Sequence, residues 1–364
     1  MSDHHQHDPD VPSGRILCQR GDGIGGRLLT LLWTLRFAAK VNAGVLMFWP
    51  SLDLFSYEGS AAGDIFDLYR LASPPLRNRL QIVDGDCRKY LRRKSLILNR
   101  KERYDPAAFV VPFDMDPARQ KLPVILGHWE GPLLAFGESR EAALAEVPSL
   151  FAQLPIRADL MGEVDRIAAE HRLSHMVAVH VRRGEIVQNL REAVSRFRPD
   201  DPSSHVVLDE RIGTFVRRCM SVDNFADSIR EVVEQGRQIL VFSDEASAPR
   251  DLANALGISK VLSVASLVRD GFSPLQQAFV EAVLMSRCRS IVGARSAYSG
   301  LAHVIGGNDR VLLDRRSRSA EDCAAYLLQS ISDELLSHPH REHLERRICD
   351  RIDGMPARRP QSAP

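Results

Sequence analysis

Three short strings in this chain close an apolar run with groups that could act on an anion. His180-Val181-Arg182-Arg183-Gly184-Glu185 ends one run, Ser243-Asp244-Glu245 a second, and Arg295-Ser296-Ala297-Tyr298-Ser299 a third. If the runs are parallel strands, these groups stand at the carboxyl ends, where open α/β sheets receive ligands. Side chains alternate along a strand, so His180 and Arg182 share one face, while Arg183 takes the other or turns into the loop at Gly184. Two arginines beside an apolar strand are costly to bury unless an anion receives at least one. A diphosphate suits them, because the planar guanidinium fork matches phosphate oxygens two at a time. An ion pair with a nearby carboxylate would satisfy Arg182 and Arg183 equally, and Ser243, Asp244 and Ser296 could each cap a helix. The location of all three endings in one sheet favours the anion site.

Other strings compete. Gly21-Asp22-Gly23-Ile24-Gly25-Gly26 satisfies the GxGxxG pattern between a predicted strand and helix. The acidic residue that a dinucleotide site needs after the second strand is missing, since Trp49 leads into Pro50-Ser51-Leu52. The turn can still offer backbone N–H groups to an anion at a helix N-terminus. Asp-x-Asp strings at Asp84/Asp86, Asp114/Asp116 and Asp8/Asp10 occur at the frequency that the aspartate content produces by chance, so no metal site is assigned. From Arg88 to Arg103 eight basic residues face Glu102 alone. That stretch is either a solvated surface or a contact for an anionic acceptor or lipid headgroups.

The elements that must position these residues follow from hydrophobic periodicity. A strand over 15–20, a helix over 27–43 and a strand over 45–49 make a βαβ unit. Residues 52–150 carry only scattered apolar runs among Pro-rich and basic stretches. A helix over 156–171 precedes a second series, with strands at 176–183, 238–244, 260–264, 290–294 and 310–314. Its helices are predicted at 224–235, 248–256, 274–287, 296–305 and 320–336. The expectation is an α/β protein with two Rossmann-like domains facing a cleft: a tail over 1–14, one domain over 15–155, a second over 156–337 and a tail over 338–364.

The chain has 364 residues, 44% apolar and 26% charged, with a formal charge of +1. This is the composition of a globular protein without a global electrostatic drive toward nucleic acid. The six cysteines form no CxxC pair and read as reduced thiols. No signal peptide or long apolar run is evident, so the expected location is the cytosol, with peripheral contact to the inner face of a membrane through residues 88–103 as a possibility to test.

The strings HVRRG, FSDE and EAVLMSRCRSIVGARSAYSGLA, together with GDGIGGRLLTLLWTLRFAAKVNAGVLMFWP near the start, resemble the peptide motifs of the fucosyltransferase superfamily. That group spans nodulation-factor and core α-1,6-, α-1,2- and protein O-fucosyltransferases. The resemblance implies a GT-B type fold, a GDP-fucose donor, a saccharide or glycolipid acceptor, inversion at the anomeric carbon and no cofactor or obligatory metal. By the same resemblance residues 15–155 would be the acceptor-side domain and 156–337 the nucleotide-sugar domain; Arg183, with Arg182, would hold the β-phosphate, His180 and Ser243 would belong to the donor site, and Asp244 would face the guanine or ribose. Arg295 and Ser296 would contact the nucleotide, and Gly25, Gly26 and Arg27 would close over the diphosphate. Glu185, just past the arginine pair, is a candidate general base, a helix cap or an arginine partner. The string Arg295-Ser296-Ala297-Tyr298 departs from the family's usual Asn-Ser-Ser-Phe or Phe-Ser-Ser type, and Gly26 replaces its usual Asn or Asp. A different nucleotide sugar, such as GDP-mannose or a UDP-sugar, and a non-catalytic glycan- or nucleotide-binding module are the alternatives.

Overall fold

The structure is a computed structural model, describing residues 12–50, 61–73, 79–85, 102–113, 122–126, 131–313 and 320–354. The chain opens with β1 (Arg15–Gln19), α1 (Ile24–Ala39) and β2 (Gly44–Trp49). With β3 (Leu80–Asp84) and β4 (Val124–Ile125) these strands form a parallel sheet in the order β3-β2-β1-β4. Arg15 pairs with Gly44 and Gln19 with Phe48, which fixes the register of the first βαβ unit. Every residue of β2 is buried. That is why its sequence is apolar throughout instead of alternating. α1 is likewise buried almost all round, including Arg27 and Arg36. Two further helices, α2 (Arg140–Gln153) and α3 (Ala158–His171), follow.

The second sheet contains β5 (Val177–Val181), β6 (Ile239–Ser243), β7 (Leu262–Ser263), β8 (Ser290–Ala294) and β9 (Asp309–Leu313). All pairings are parallel, in the order β9-β8-β5-β6-β7. The chain therefore builds outward from β5 to one side and then returns to its other side with β8. The strand order reverses between β5 and β8, and the crevice beyond their carboxyl ends is where this topology receives ligands. The helices of this half are α4 (Gly184–Ser195), α5 (Pro202–Arg218), α6 (Val222–Glu234), α7 (Ala248–Leu256), α8 (Pro274–Arg287) and α9 (Ala297–Gly306). Last come α10 (Ala320–Ser330), α11 (Ser332–Ser337) and α12 (Arg341–Asp353). Val179, Val181, Val241 and Val292 on one sheet face pack against Phe225 and Ile229 of α6 and Leu252 of α7. A separate helical core joins α4, α5 and α10–α12 through Leu190, Phe215, Leu327, Leu344 and Ile348.

The α/β class and the two larger parallel sheets match the sequence reading, with several differences in detail. Compactness divides the chain into residues 1–174 with 267–287 and 297–308, and a second unit of 175–266, 288–296 and 309–364. The division thus does not fall at the expected boundary of 155/156. α3, α8 and α9 pack within the first unit, α9 lying against α1 so closely that a Cβ on Gly25 would stand 2.7 Å from the Tyr298 backbone. Residues 341–353 of the expected tail are α12, which buries Leu344, Ile348 and Ile352. Their i, i+4, i+8 spacing makes one apolar stripe on an otherwise charged helix. The helix expected over 320–336 breaks at Ile331, a residue with 0% exposure and φ of −122°. Helices α4 and α5 fill 184–218, where no helix was expected; Asp201 caps the second by accepting the Ser203 N–H at 2.9 Å, with Pro202 at the first position. No described helix is long and apolar enough to cross a membrane.

Candidate functional site

At the end of β5 the backbone leaves the sheet and starts α4, and one carboxylate organises that start. Asp244, just beyond β6, accepts the N–H of Arg183 at 3.1 Å and of Gly184 at 3.2 Å on Oδ1, and that of Glu185 at 3.1 Å on Oδ2. These are orphan donors of a helix N-terminus, and an anion there also meets the positive end of the helix dipole. Gly184 fits closely here, since a Cβ would lie 3.1 Å from the Asp244 carbonyl oxygen. Ser243 Oγ accepts the Glu245 N–H at 3.0 Å and holds the turn after β6. Asp244 was expected at the base or ribose and Ser243 in the donor site; here both accept backbone N–H groups, Asp244 capping α4 and not the helix that follows it in sequence, α7.

The paired arginines part company. Arg183 is 8% exposed. Its Nε donates to Glu245 at 2.6 Å, Nη2 pairs with the same carboxylate, and Nη1 donates to the Tyr326 hydroxyl of α10 at 3.3 Å. Burial lowers the Arg183 pKa, but Tyr326 and Glu245 outweigh it and leave the guanidinium above its usual range. Arg183 thus joins the sheet to the helical layer. Arg182 is more open: Nη1 donates to Ser296 Oγ at 3.2 Å, and Nη2 pairs with Glu185. The ion-pair reading therefore holds for both residues, and the resemblance had placed the phosphate chiefly on Arg183.

Around Ser296 further cations collect. Arg310 of β9 donates from Nη2 to the Ser296 carbonyl at 3.2 Å. Burial, followed by the charge of Arg295, pushes its pKa down to about 10. His180, 4% exposed, lies behind this group. Burial first, then Arg182 and Arg310 against the opposing pull of Asp244, lower its pKa to about 3, so the imidazole is neutral at neutral pH. A Cβ at its strand neighbour Gly293 would approach the His180 Cβ to 3.1 Å. The end of the second sheet thus brings together His180, Arg182, Arg183, Glu185, Ser243, Asp244, Arg295 and Ser296. Sequence reasoning missed Arg310 and Tyr326, because it searched carboxyl strand ends, whereas Arg310 starts a strand and Tyr326 lies in a helix.

Gly25, Gly26 and Arg27 belong to the first unit. Gly25 admits the backbone of α9, and a Cβ on Gly26 would meet the Asp22 carboxylate at 2.1 Å. Asp22 in turn pairs with Arg20 at 2.7 Å. Arg27 is fully buried; its Nε donates to the Asp22 carbonyl at 2.8 Å and its guanidinium stacks 4.8 Å from the Trp49 ring centroid. Asp84 accepts the Ala62 N–H at 2.8 Å. Asp86, Asp114 and Asp116 and, apart from Glu102 and Arg103, the basic stretch lie outside the described residues. Among the described residues no group of three or more His, Cys, Asp or Glu could hold a metal ion.

No protein-family model matches this sequence, and no curated protein does. The chain is similar to solved structures of fucosyltransferases. A structure titled POFUT1 in complex with GDP is 14% identical, covering 84% of this chain and 99% of its own, with a TM-score of 0.44. NodZ α-1,6-fucosyltransferase soaked with GDP-fucose is 13% identical over 80% and 92%, with a TM-score of 0.41. NodZ from Bradyrhizobium is 15% identical over 79% and 93%, with a TM-score of 0.39.

Proposed function

We propose that this protein is a GT-B type glycosyltransferase that moves fucose from GDP-fucose to a hydroxyl of a saccharide or lipid-linked saccharide, inverting the anomeric carbon without a metal. The observation that carries this reading is the set of guanidinium groups at the β5/β8 reversal, with Arg182 and Arg310 both bonded to Ser296. The guanine and the fucose rest on the resemblance of the HVRRG, FSDE and Glu281–Ala302 strings. As the bond from the anomeric carbon to the diphosphate breaks, negative charge grows on the β-phosphate. A fixed guanidinium aimed there stabilises the transition state, the work a metal does in other transferases.

Arg182 is the better candidate for that contact, because its partners Ser296 and Glu185 are exchangeable and its side chain is partly exposed. Transfer of Arg182 from Glu185 to the diphosphate would release the Glu185 carboxylate to take the acceptor's proton. The acceptor oxygen then bonds to the anomeric carbon and GDP leaves. Calorimetric titration with GDP, UDP, ADP and NAD, followed by transfer assays with GDP-fucose in EDTA, tests the reading. Tight binding of GDP alone and chelator-resistant turnover are expected. Preference for UDP or NAD, or turnover that requires Mn²⁺, would overturn it.

A further inference from the structure

We propose that His338 is an acid-sensitive latch, whose protonation frees the start of α12 from the helices it packs against.

The connection from α11 to α12 is His338-Pro339-His340. The His338 N–H donates to the Leu335 carbonyl at 3.1 Å and closes α11. His340 is the N-cap of α12: its carbonyl accepts the Leu344 N–H at 3.1 Å, while its side chain caps nothing. Its own N–H donates to Nδ1 of His338 at 3.1 Å. This bond is the imidazole counterpart of an Asx turn, in which a side chain accepts the N–H two residues on. An accepting ring nitrogen carries no hydrogen, so the neutral ring bears its proton on Nε2, which is buried. Acid adds the second proton to Nδ1. Two N–H groups then face each other, and the His338–His340 bond is lost.

The surroundings make the charged ring costly to keep. His338 is 9% exposed, and its ring centroid lies 6.3 Å from that of Phe197, which is fully buried. His205 of α5 and His343 of α12 meet the same phenyl ring at 4.9 and 5.8 Å. Burial first, then the charges of His340 and of Arg198 from the loop before α5, lower the His338 pKa against the pull of the Phe197 carbonyl. Carboxylates of the packed helices are engaged elsewhere: Asp201 with Ser203, Asp209 with Arg347, Glu334 with Arg191 and Glu345 with Arg341. Asp200, Glu210, Asp333 and Glu342 are exposed. Phe197 shares one apolar core with Leu344 and Ile348 of α12 and Leu190 of α4. Freeing α12 thus withdraws support from the helix that starts beside Arg183.

The released ring has its ordinary pKa of about 6.5. Release is therefore favoured as pH falls below that value, by up to about tenfold per unit, until the lower value of the latched ring is passed. Hydrogen exchange at pH 7.5 and 5.0, expressed as protection relative to intrinsic rates, reads the change. In the parent, amides of α12 should lose about 3- to 30-fold in protection between the two. His338→Asn supplies an acceptor for the same N–H and does not titrate, so its α12 protection should change by less than about twofold. A loss in His338→Asn equal to that of the parent would overturn the proposal, since the response would then belong to His205, His343 or the fold as a whole. Unchanged protection in the parent would overturn it as well. If the asparagine variant does not fold, His338→Ser, whose hydroxyl accepts the same N–H more weakly, gives the same comparison with the same two outcomes.

Discussion

The hydroxyl of Ser296 accepts a hydrogen bond from Nη1 of Arg182 at 3.2 Å, joining the ends of β8 and β5 across 114 residues of sequence. Arg183, the next residue, turns away to Glu245 and Tyr326. Adjacent arginines thus meet different neighbours, and their variants should fail differently. Arg182→Ala should lower kcat/KM by about 10²–10³, equivalent to roughly 2.7–4 kcal/mol of transition-state stabilisation, at little cost in stability. Arg183→Ala should mainly destabilise the fold, by about 1–3 kcal/mol, through the loss of a largely buried, hydrogen-bonded charge pair. Steady-state kinetics and urea denaturation of both variants separate the two roles; the reverse pattern would make Arg183 the phosphate ligand.

Asp244 offers a second test, because its carboxylate accepts from three successive amides. Asp244→Ala should cost about 1–2 kcal/mol of stability and speed hydrogen exchange at the amides of residues 183–185. If Asp244 instead contacts nucleotide as its main duty, the variant will lose GDP affinity with unchanged amide protection.

His180 sets an acid limit. Its folded pKa of about 3 lies below the ordinary value of 6.5. Between those values the unfolded chain binds a proton that the folded chain does not, so stability falls as pH drops from 6.5 toward 3. The loss between pH 6.5 and 5 should be about 2 kcal/mol from this residue. His180→Gln should flatten that part of the pH profile in chemical denaturation, even if it lowers stability at pH 7.5. An equal slope in parent and variant would assign the acid sensitivity elsewhere.

What could be read in advance follows from the range of the interactions. The strands at 177–181, 239–243 and 290–294 stand out because apolar runs end abruptly in charge, and their common sheet follows from βαβ chain logic. The partner of each polar end could not be read. Asp244 has the local setting of a cap for α7, and only the fold reveals that it caps a helix some sixty residues earlier. Arg310 carries no local signal, since a lone arginine at a strand start looks like an exposed edge. Glu163 makes the same point in the first unit: it is buried by Arg166 beside it and by the Arg269 N–H at 3.0 Å, a contact invisible to spacing. α12 was hidden by its arginines and glutamates, although Leu344, Ile348 and Ile352 recur at helical spacing.

Two adjacent glycines allow the close approaches in the first unit to be tested. A Cβ on Gly25 would stand 2.7 Å from the Cα and N of Tyr298, and backbone cannot rotate out of the way. Gly25→Ala should therefore force α1 from α9 and cost about 1–3 kcal/mol, despite the helix propensity that alanine adds. On Gly26 the obstacle is the Asp22 carboxylate, the free end of a side chain. Gly26→Ala should cost less, because Asp22 can swing aside at the expense of its ion pair with Arg20. Adding Asp22→Ala should then recover stability in the Gly26→Ala background and not in the Gly25→Ala background. A double-mutant cycle by thermal or urea unfolding measures this coupling; equal rescue of both variants would show that Gly25, too, is limited by the Asp22 side chain and not by the backbone of α9.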